Sequence, residues 1–445
     1  MWIDVPATIP GRLTTIDAAR GAAMFFVFLS HFADIVVVSP STRFYGEQLV
    51  HVAMIASPLF MIVSGTILGF LAVSRADEFR ALSYRMIDRS LLLLTVAHVL
   101  IAVANMSPLR HPSDAWRMVF ITDTIALCAL MGCALIRVVP ARYRIAFAAA
   151  CYVMSWTIVI GWHPHDVQFR VVKDLIVGPL AQSSWAYVVP ILPWFSVYFA
   201  ASTIGEQLAR SGRGLPMQRI AARLIHVGVA AVFFGFAIKL GYLAFANFHA
   251  MSTSTETYVL HLLTGPFAKM PPSPDYIAVY GGAGLTLLGL LIRHSARPQL
   301  TLAMNWLALV GRNSLFVFIV QYYVYFVLLH AVRNAPIATW PILFGASVVA
   351  IVAVAWWWDH RGGNRFLTLG ISWLGAQRDA SDPRPSLLIA LQRAPKANAP
   401  ATAITAAIQS EALATGKAKI IGMAASPTPL AITRTISGTA RATRE

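Results

Sequence analysis

Four ionisable side chains share one apolar stretch near the start of the sequence: Asp17, Arg20, His31 and Asp34 in "IDAARGAAMFFVFLSHFAD". On an α-helix, residues eleven apart differ by roughly 20° around the axis and about 16 Å along it. Arg20 and His31 therefore fall on one face, three turns apart. Asp17 precedes Arg20 by three residues and Asp34 follows His31 by three, so both lie near the same stripe. An imidazole with a carboxylate about one turn away is the pattern of a general base and its orienting partner. A simpler role fits the same residues: Asp17 and Arg20 as a surface pair at one helix end, His31 and Asp34 reaching for water at the other. The helix alone leaves both readings open.

Other stretches add to the pattern. In "FRALSYRMIDRSLLLL", Arg85 and Arg89 are one helical turn apart. Positive charge at the cytoplasmic end of a span is the commonest reason for such arginines. A paired guanidinium clamp for phosphate is the functional reading, because the planar donor fork of Arg suits phosphate oxygens. Arg312 in "GRNSLF" falls at the same expected depth and adds a third cation. Asp123 in "VFITDTIALC" lies at about the depth of His31 and Asp34, and an Asp there must be paired or face a cavity. Ser64 and His98 are satisfied by helix–helix hydrogen bonds in the simplest account. Lys239 has the stem to snorkel to an interface, and Gln321 is left undecided.

The elements that must position these residues are membrane helices. The chain has 445 residues, 57% of them hydrophobic and only 12% charged, with mean hydropathy +0.65. Soluble domains carry roughly a quarter charged residues. Segments of about 20 apolar residues can cross the hydrocarbon. Ten are expected, at 16–38, 49–73, 88–105, 116–137, 143–162, 186–208, 224–247, 276–293, 314–330 and 338–358, giving an all-α, polytopic transmembrane helical bundle. The segment 300–311 is a candidate eleventh element, able to lie along the interface. With the N-terminus inside, inner loops and span edges hold fourteen Arg against seven Arg and Lys outside, so both termini are placed in the cytoplasm.

The first apolar run carries His31 and lacks a small-residue cleavage pattern, so it is expected to remain as a span. Residues 1–358 form the membrane domain and 359–445 a cytoplasmic tail. From 376 onward that tail is rich in Ala, Thr, Ser and Pro, reads as largely disordered, and is able to touch anionic membrane lipid. The net charge of +16 is assigned to cytoplasmic loops rather than to a nucleic-acid groove, since no basic stretch is interleaved with aromatics. Cys128, Cys133 and Cys151 lie in apolar spans, have no metal-ligand spacing and are assigned to packing; no metal and no bound cofactor is expected. Arg outnumbers Lys and Ala is abundant, which suits a bacterial inner-membrane protein.

Taken in order, these stretches resemble the integral-membrane acyltransferases, namely the acyltransferase-3 family and its relatives similar to heparan-alpha-glucosaminide N-acetyltransferase. "IDAARGAAMFFVFLSH" looks like the family's first-helix signature, and "SPLFMIVSGTILGFL" is similar to its second helix with a mid-membrane Ser-Gly. "RMIDRSLLLL" matches an Arg-x-x-x-Arg that opens the third. "VFITDTIALCALM", "PILPWFSVYFAASTIGEQL" and "LVGRNSLFVFIVQYYV" resemble later helices. Two positions depart: Gln321 stands where members often have His, and Val63 where an aromatic is common.

The resemblance implies an acyl-CoA-dependent O- or N-acyltransferase. Arg20, Arg85, Arg89 and Arg312 would hold the phosphates of acyl-CoA, most simply acetyl-CoA. His31 would act as general base or as a transient nucleophile, with Asp34 or Asp123 fixing its tautomer. The acceptor implied is a hydroxyl or amine of a glycan or glycolipid on the outer side, as in polysaccharide modification. Asp17, Ser64 and Gln321 are further site candidates. Two rivals are a proton-coupled transporter using the same Asp and His residues, and a non-catalytic membrane partner. The first calls for inverted repeats or broken helices in matching positions, which the sequence does not display.

Overall fold

A chain in hydrocarbon must satisfy its own backbone polar groups, and a helix does so within one segment. The computed structural model describes residues 14–36, 40–105, 112–180, 183, 185–211, 215–248, 254–295 and 301–370. The chain divides into two units, 1–379 and 380–445, and every described residue belongs to the first.

Sixteen α-helical segments follow one another: α1 (Thr14–Val36), α2 (Pro40–Ala53), α3 (Ala56–Ser74), α4 (Phe79–Leu92), α5 (His98–Asn105), α6 (Ile121–Leu135), α7 (Ala141–Gly161), α8 (Val167–Ile176), α9 (Ile191–Ser211), α10 (Leu215–Phe248), α11 (Ser254–Thr264), α12 (Pro274–Tyr276), α13 (Gly282–His294), α14 (Thr301–Arg312), α15 (Ser314–Tyr322) and α16 (Trp340–His360). Three are continued by π-helical turns: Leu93–Ala97 joins α4 to α5, Ile277–Gly281 joins α12 to α13, and Tyr323–Leu328 extends α15. Each of the ten expected spans coincides with a helical stretch. Eight of these are long and apolar enough to cross a membrane. Of the other two, α6 has 15 residues, and α9 carries Glu206 and Arg210 near its end.

Helix pairs approach until backbone meets backbone, α10 with α13 at Gly228 and Gly282 and two pairs closer to the arginines. A Cβ on Gly65 or Gly69 of α3 would overlap the carbonyls of Tyr198 and Ser202 on α9, and one on Gly205 of α9 would overlap that of Thr66. Gly21 of α1 and Gly311 of α14 meet the carbonyls of Leu307 and Asp17 in the same way. Small residues permit this closeness, which lets dispersion hold helices together where no hydrophobic drive exists between them. The pairing of 17 with 311 and 21 with 307 runs α14 antiparallel along α1. The candidate eleventh element at 300–311 is thus a helix packed along α1, because the glycines give it a backbone to pack on.

Strand structure among the described residues is confined to a two-residue parallel pair, β1 (Met118–Val119) and β2 (Tyr187–Val188). It explains why α6 starts at Ile121, five residues after the expected 116. A buried ion pair fixes the other end of that helix. Arg144 donates to Glu206 at 2.8 Å and to the carbonyls of Ile136 and Val139, tying the α6–α7 turn to α9.

Candidate active site

The arginines predicted from sequence converge on one cavity of about 570 Å³. Its wall carries Arg20 from α1, Arg75 from the end of α3, Arg85 and Arg89 from α4, and Arg312 from the end of α14. The wall holds a single carboxylate, Asp17. Local chain geometry accounts for the convergence. The Gly21 and Gly311 contacts bring the Arg20 and Arg312 ends of two helices together, and the four-residue spacing of Arg85 and Arg89 puts both on one face of α4. Among the described residues Arg85 has no hydrogen-bond or ion-pair partner. Ser64 of α3 lies on the same wall, among apolar groups that include Phe60, Ile67, Ile125 and Phe318.

A segment beyond the last span crosses this end of the cavity. Asp359 at the end of α16 accepts from Arg312 at 3.0 Å and from the Asn313 amide at 3.0 Å. Asn364 then donates to Asn313 Oδ1 at 2.7 Å, and its own Oδ1 accepts from Trp358 Nε1. Further on, the Thr368 hydroxyl and the Leu369 N–H both donate to the carboxylate of Asp88, a buried residue between Arg85 and Arg89. Asn364 and Leu367 line the cavity. Residues 359–370, at the start of the expected tail, thus form a strap pinned beside both arginine groups. Residues from 371 onward lie outside the described residues, so the disorder expected from 376 falls there too.

His31 sits at the other end of α1 in an aromatic setting. Its ring is 4.7 Å from that of Tyr322 and 5.1 Å from that of Phe326. Its Nδ1 is 2.6 Å from Gln321 Oε1. The Gln321 amide donates from Nε2 to the Phe318 carbonyl at 3.1 Å, which turns Oε1 toward the imidazole. An amide oxygen only accepts, so Nδ1 carries the proton and Nε2 keeps its lone pair. The tautomer is therefore set by Gln321, rather than by the expected Asp34 or Asp123. Asp34 is exposed and makes no hydrogen bond to His31 among the described residues.

Asp123 is occupied elsewhere for a local reason. It is the third residue of α6, and its Oδ2 accepts the Phe120 N–H at 2.8 Å, capping that helix. The same oxygen lies 2.9 Å from His98 Nδ1. His98 is thus a helix–helix partner, as the sequence reading has it. The two ends are connected through rings. Phe318 on the cavity wall contacts Tyr322 (5.6 Å), which contacts both His31 and Phe120 (6.0 Å). His31 itself does not line the cavity.

Two groups, Lys269 and Thr122, escape the sequence reading, and a third, Lys239, has partners that it did not name. Lys269 lies in the loop before α12, where burial pulls its ammonium below the usual lysine range and the nearby Asp34 carboxylate opposes that shift. Lys239 does not snorkel to an interface. Its ammonium donates to the Leu263 carbonyl at 2.6 Å and pairs at 3.3 Å with Asp275, which is fully buried. Thr122 lines the cavity beside Asp123. Only a charged type in an apolar context could have pointed to Lys269, and nothing in sequence marked Thr122 apart from its neighbours.

No curated protein matches the chain. The model of the acyltransferase domain family matches residues 13–357, which takes in α1 to α15, most of α16 and both ends of the site. With that match laid over arginines gathered on one cavity and an oriented histidine at the other end of the same helix, the chain belongs to the acyltransferase-3 family and is a multi-pass membrane acyltransferase.

Proposed function

We propose that the protein moves an acyl group from cytoplasmic acyl-CoA to a hydroxyl or amine of a glycan or glycolipid on the opposite side of the membrane. One observation carries this reading: five arginines against one carboxylate on the wall of a cavity inside an apolar bundle. An excess of cations over carboxylates on such a wall is costly in apolar surroundings. A polyanionic ligand such as the phosphates of CoA would offset the cost and use the bidentate geometry of Arg. The apolar wall from Ile67 to Phe318 suits the pantetheine arm.

In this mechanism the acceptor arrives at the His31 end. His31 Nε2 takes the proton from the acceptor oxygen or nitrogen as that atom attacks the thioester carbonyl. The carbon–sulfur bond breaks, and the proton passes from His31 to the departing CoA sulfur. The acyl group crosses while CoA stays on its own side. Because Phe318 lines the cavity and the Tyr322 ring stands between Phe318 and His31, the thioester reaches His31 by displacement of the Tyr322 ring. Asp34 and Lys269, beyond His31, would meet the acceptor first. The orientation with both termini inside, the bacterial inner membrane and the acetyl donor belong to this proposal, on the strength of the arginine distribution and the family resemblance.

The test adds labelled acetyl-CoA to inverted membrane vesicles containing the protein and its native glycolipids. Label entering glycan or glycolipid is the expected result. Labelled donor that binds without any transfer, acceptor being present, would return the intramembrane Asp and His residues to a transport reading.

A further inference from the structure

Resting on the donor reading above, the geometry points to Thr122 as a hydrogen-bond donor to a carbonyl of the acyl-CoA arm, at the point where the arm approaches His31. Three polar residues stand in a row at the start of α6: Thr122, Asp123 and Thr124. Asp123 and Thr124 help to hold the helix, Asp123 through Oδ2 alone, since its Oδ1 is buried without a hydrogen-bond partner. Asp123 caps it through the Phe120 N–H and joins it to His98. The Thr124 hydroxyl donates to the Val189 carbonyl at 2.7 Å, tying the helix to the segment after β2. Thr122 has neither duty. It is 4% exposed, and its hydroxyl is buried with no hydrogen-bond partner.

A buried hydroxyl left unpaired costs free energy, and such groups in native structures call for an explanation. Here the residue lies on the wall of the donor cavity. Its place there is at the end toward His31, since the neighbouring Phe120 ring meets Tyr322, which meets His31. It is also the second residue of α6. At that position the backbone N–H has no intrahelical acceptor, and the positive end of the helix favours a carbonyl oxygen that gathers negative charge. The neighbours' hydrogen bonds hold the helix start fixed, so the Thr122 hydroxyl need only rotate to donate. A carbonyl is the matching chemistry: it accepts and never donates. Two kinds of carbonyl occur on the arm, the pantetheine amides and the thioester.

The test measures binding of acetyl-CoA and of CoA to the purified protein in nanodiscs, for the wild type, Thr122→Val and Thr122→Ser. Thr122→Val removes the hydroxyl at nearly constant shape and is expected to weaken acetyl-CoA binding about tenfold, or about 1.4 kcal/mol. Thr122→Ser is expected to restore it, which a purely packing role would not produce. If CoA binding is unchanged in Thr122→Val, the partner is the thioester carbonyl; if it weakens equally, the partner is an amide. Should Thr122→Val fail to fold, Thr122→Ala against Thr122→Ser gives the same comparison. Equal binding of both ligands by the wild type and Thr122→Val overturns the assignment and leaves the donor reading intact. A wild type that binds neither ligand overturns both.

Discussion

The two ends of α1 handle polar groups in opposite ways. At the Arg20 end, cations outnumber carboxylates on an open wall, and Arg85 has no partner among the described residues. At the His31 end, specific hydrogen bonds orient the rings: His31 is held by Gln321 and His98 by Asp123. Charge that remains unbalanced marks where a ligand completes the protein. Charge that is balanced internally marks where geometry must be held in advance. On the proposed function, binding and chemistry are separated along one helix, the first at a wall rich in arginine and the second among fixed orientations.

The sharpest way to break this contrast is at His31. In His31→Ala, transfer is expected to fall by about 10²- to 10⁴-fold, the range of a positioned general base, while CoA binding is retained. A variant that loses donor binding as well would show the two ends acting as one. The next largest effect is expected from Arg85→Ala combined with Arg89→Ala. Charge-assisted hydrogen bonds are worth about 1.5–3 kcal/mol, so the apparent KM for acetyl-CoA should rise at least tenfold with kcat little changed. An unchanged KM would reduce the pair to a topological signal. The smallest effect is expected from Asp88→Asn, which weakens the anchor of the strap. A change of about three- to tenfold in the CoA dissociation rate, read by stopped flow, would tie the strap to the donor end. No change in that rate would make it packing alone.

Much of the arginine cluster was legible in the sequence because helical spacing alone relates its members. An interval of eleven relates Arg20 to His31, and an interval of four relates Arg85 to Arg89, whatever the bundle does. What was not legible depended on contacts between segments distant in sequence. The His31–Gln321 bond spans 290 positions, and the strap closes 280 positions back onto Asp88. Asp123 was placed at the right depth but given the wrong neighbour. Its role follows from α6 beginning at Ile121, and that beginning is set by pairing with Tyr187 and Val188. The packing of α14 was likewise written in Gly21 and Gly311, but neither glycine names its partner by itself.

The glycine contacts bear on motion. Where backbone lies against backbone, no side chain stands between the helices to change rotamer and let them slide. α1 with α14, and α3 with α9, should each travel as one rigid piece. On the proposed function, the donor arm would have to pass Tyr322 to reach His31. That leaves α15 as the yielding wall, and its continuation Tyr323–Leu328 is a π-helix, with a looser turn than the helix around it. The Tyr322 and Phe326 rings that enclose His31 sit at the start of that stretch and within it. Stiff walls on two sides would channel the deformation into one gate, so that the residue performing the chemistry and the rings guarding it are served by different mechanical parts.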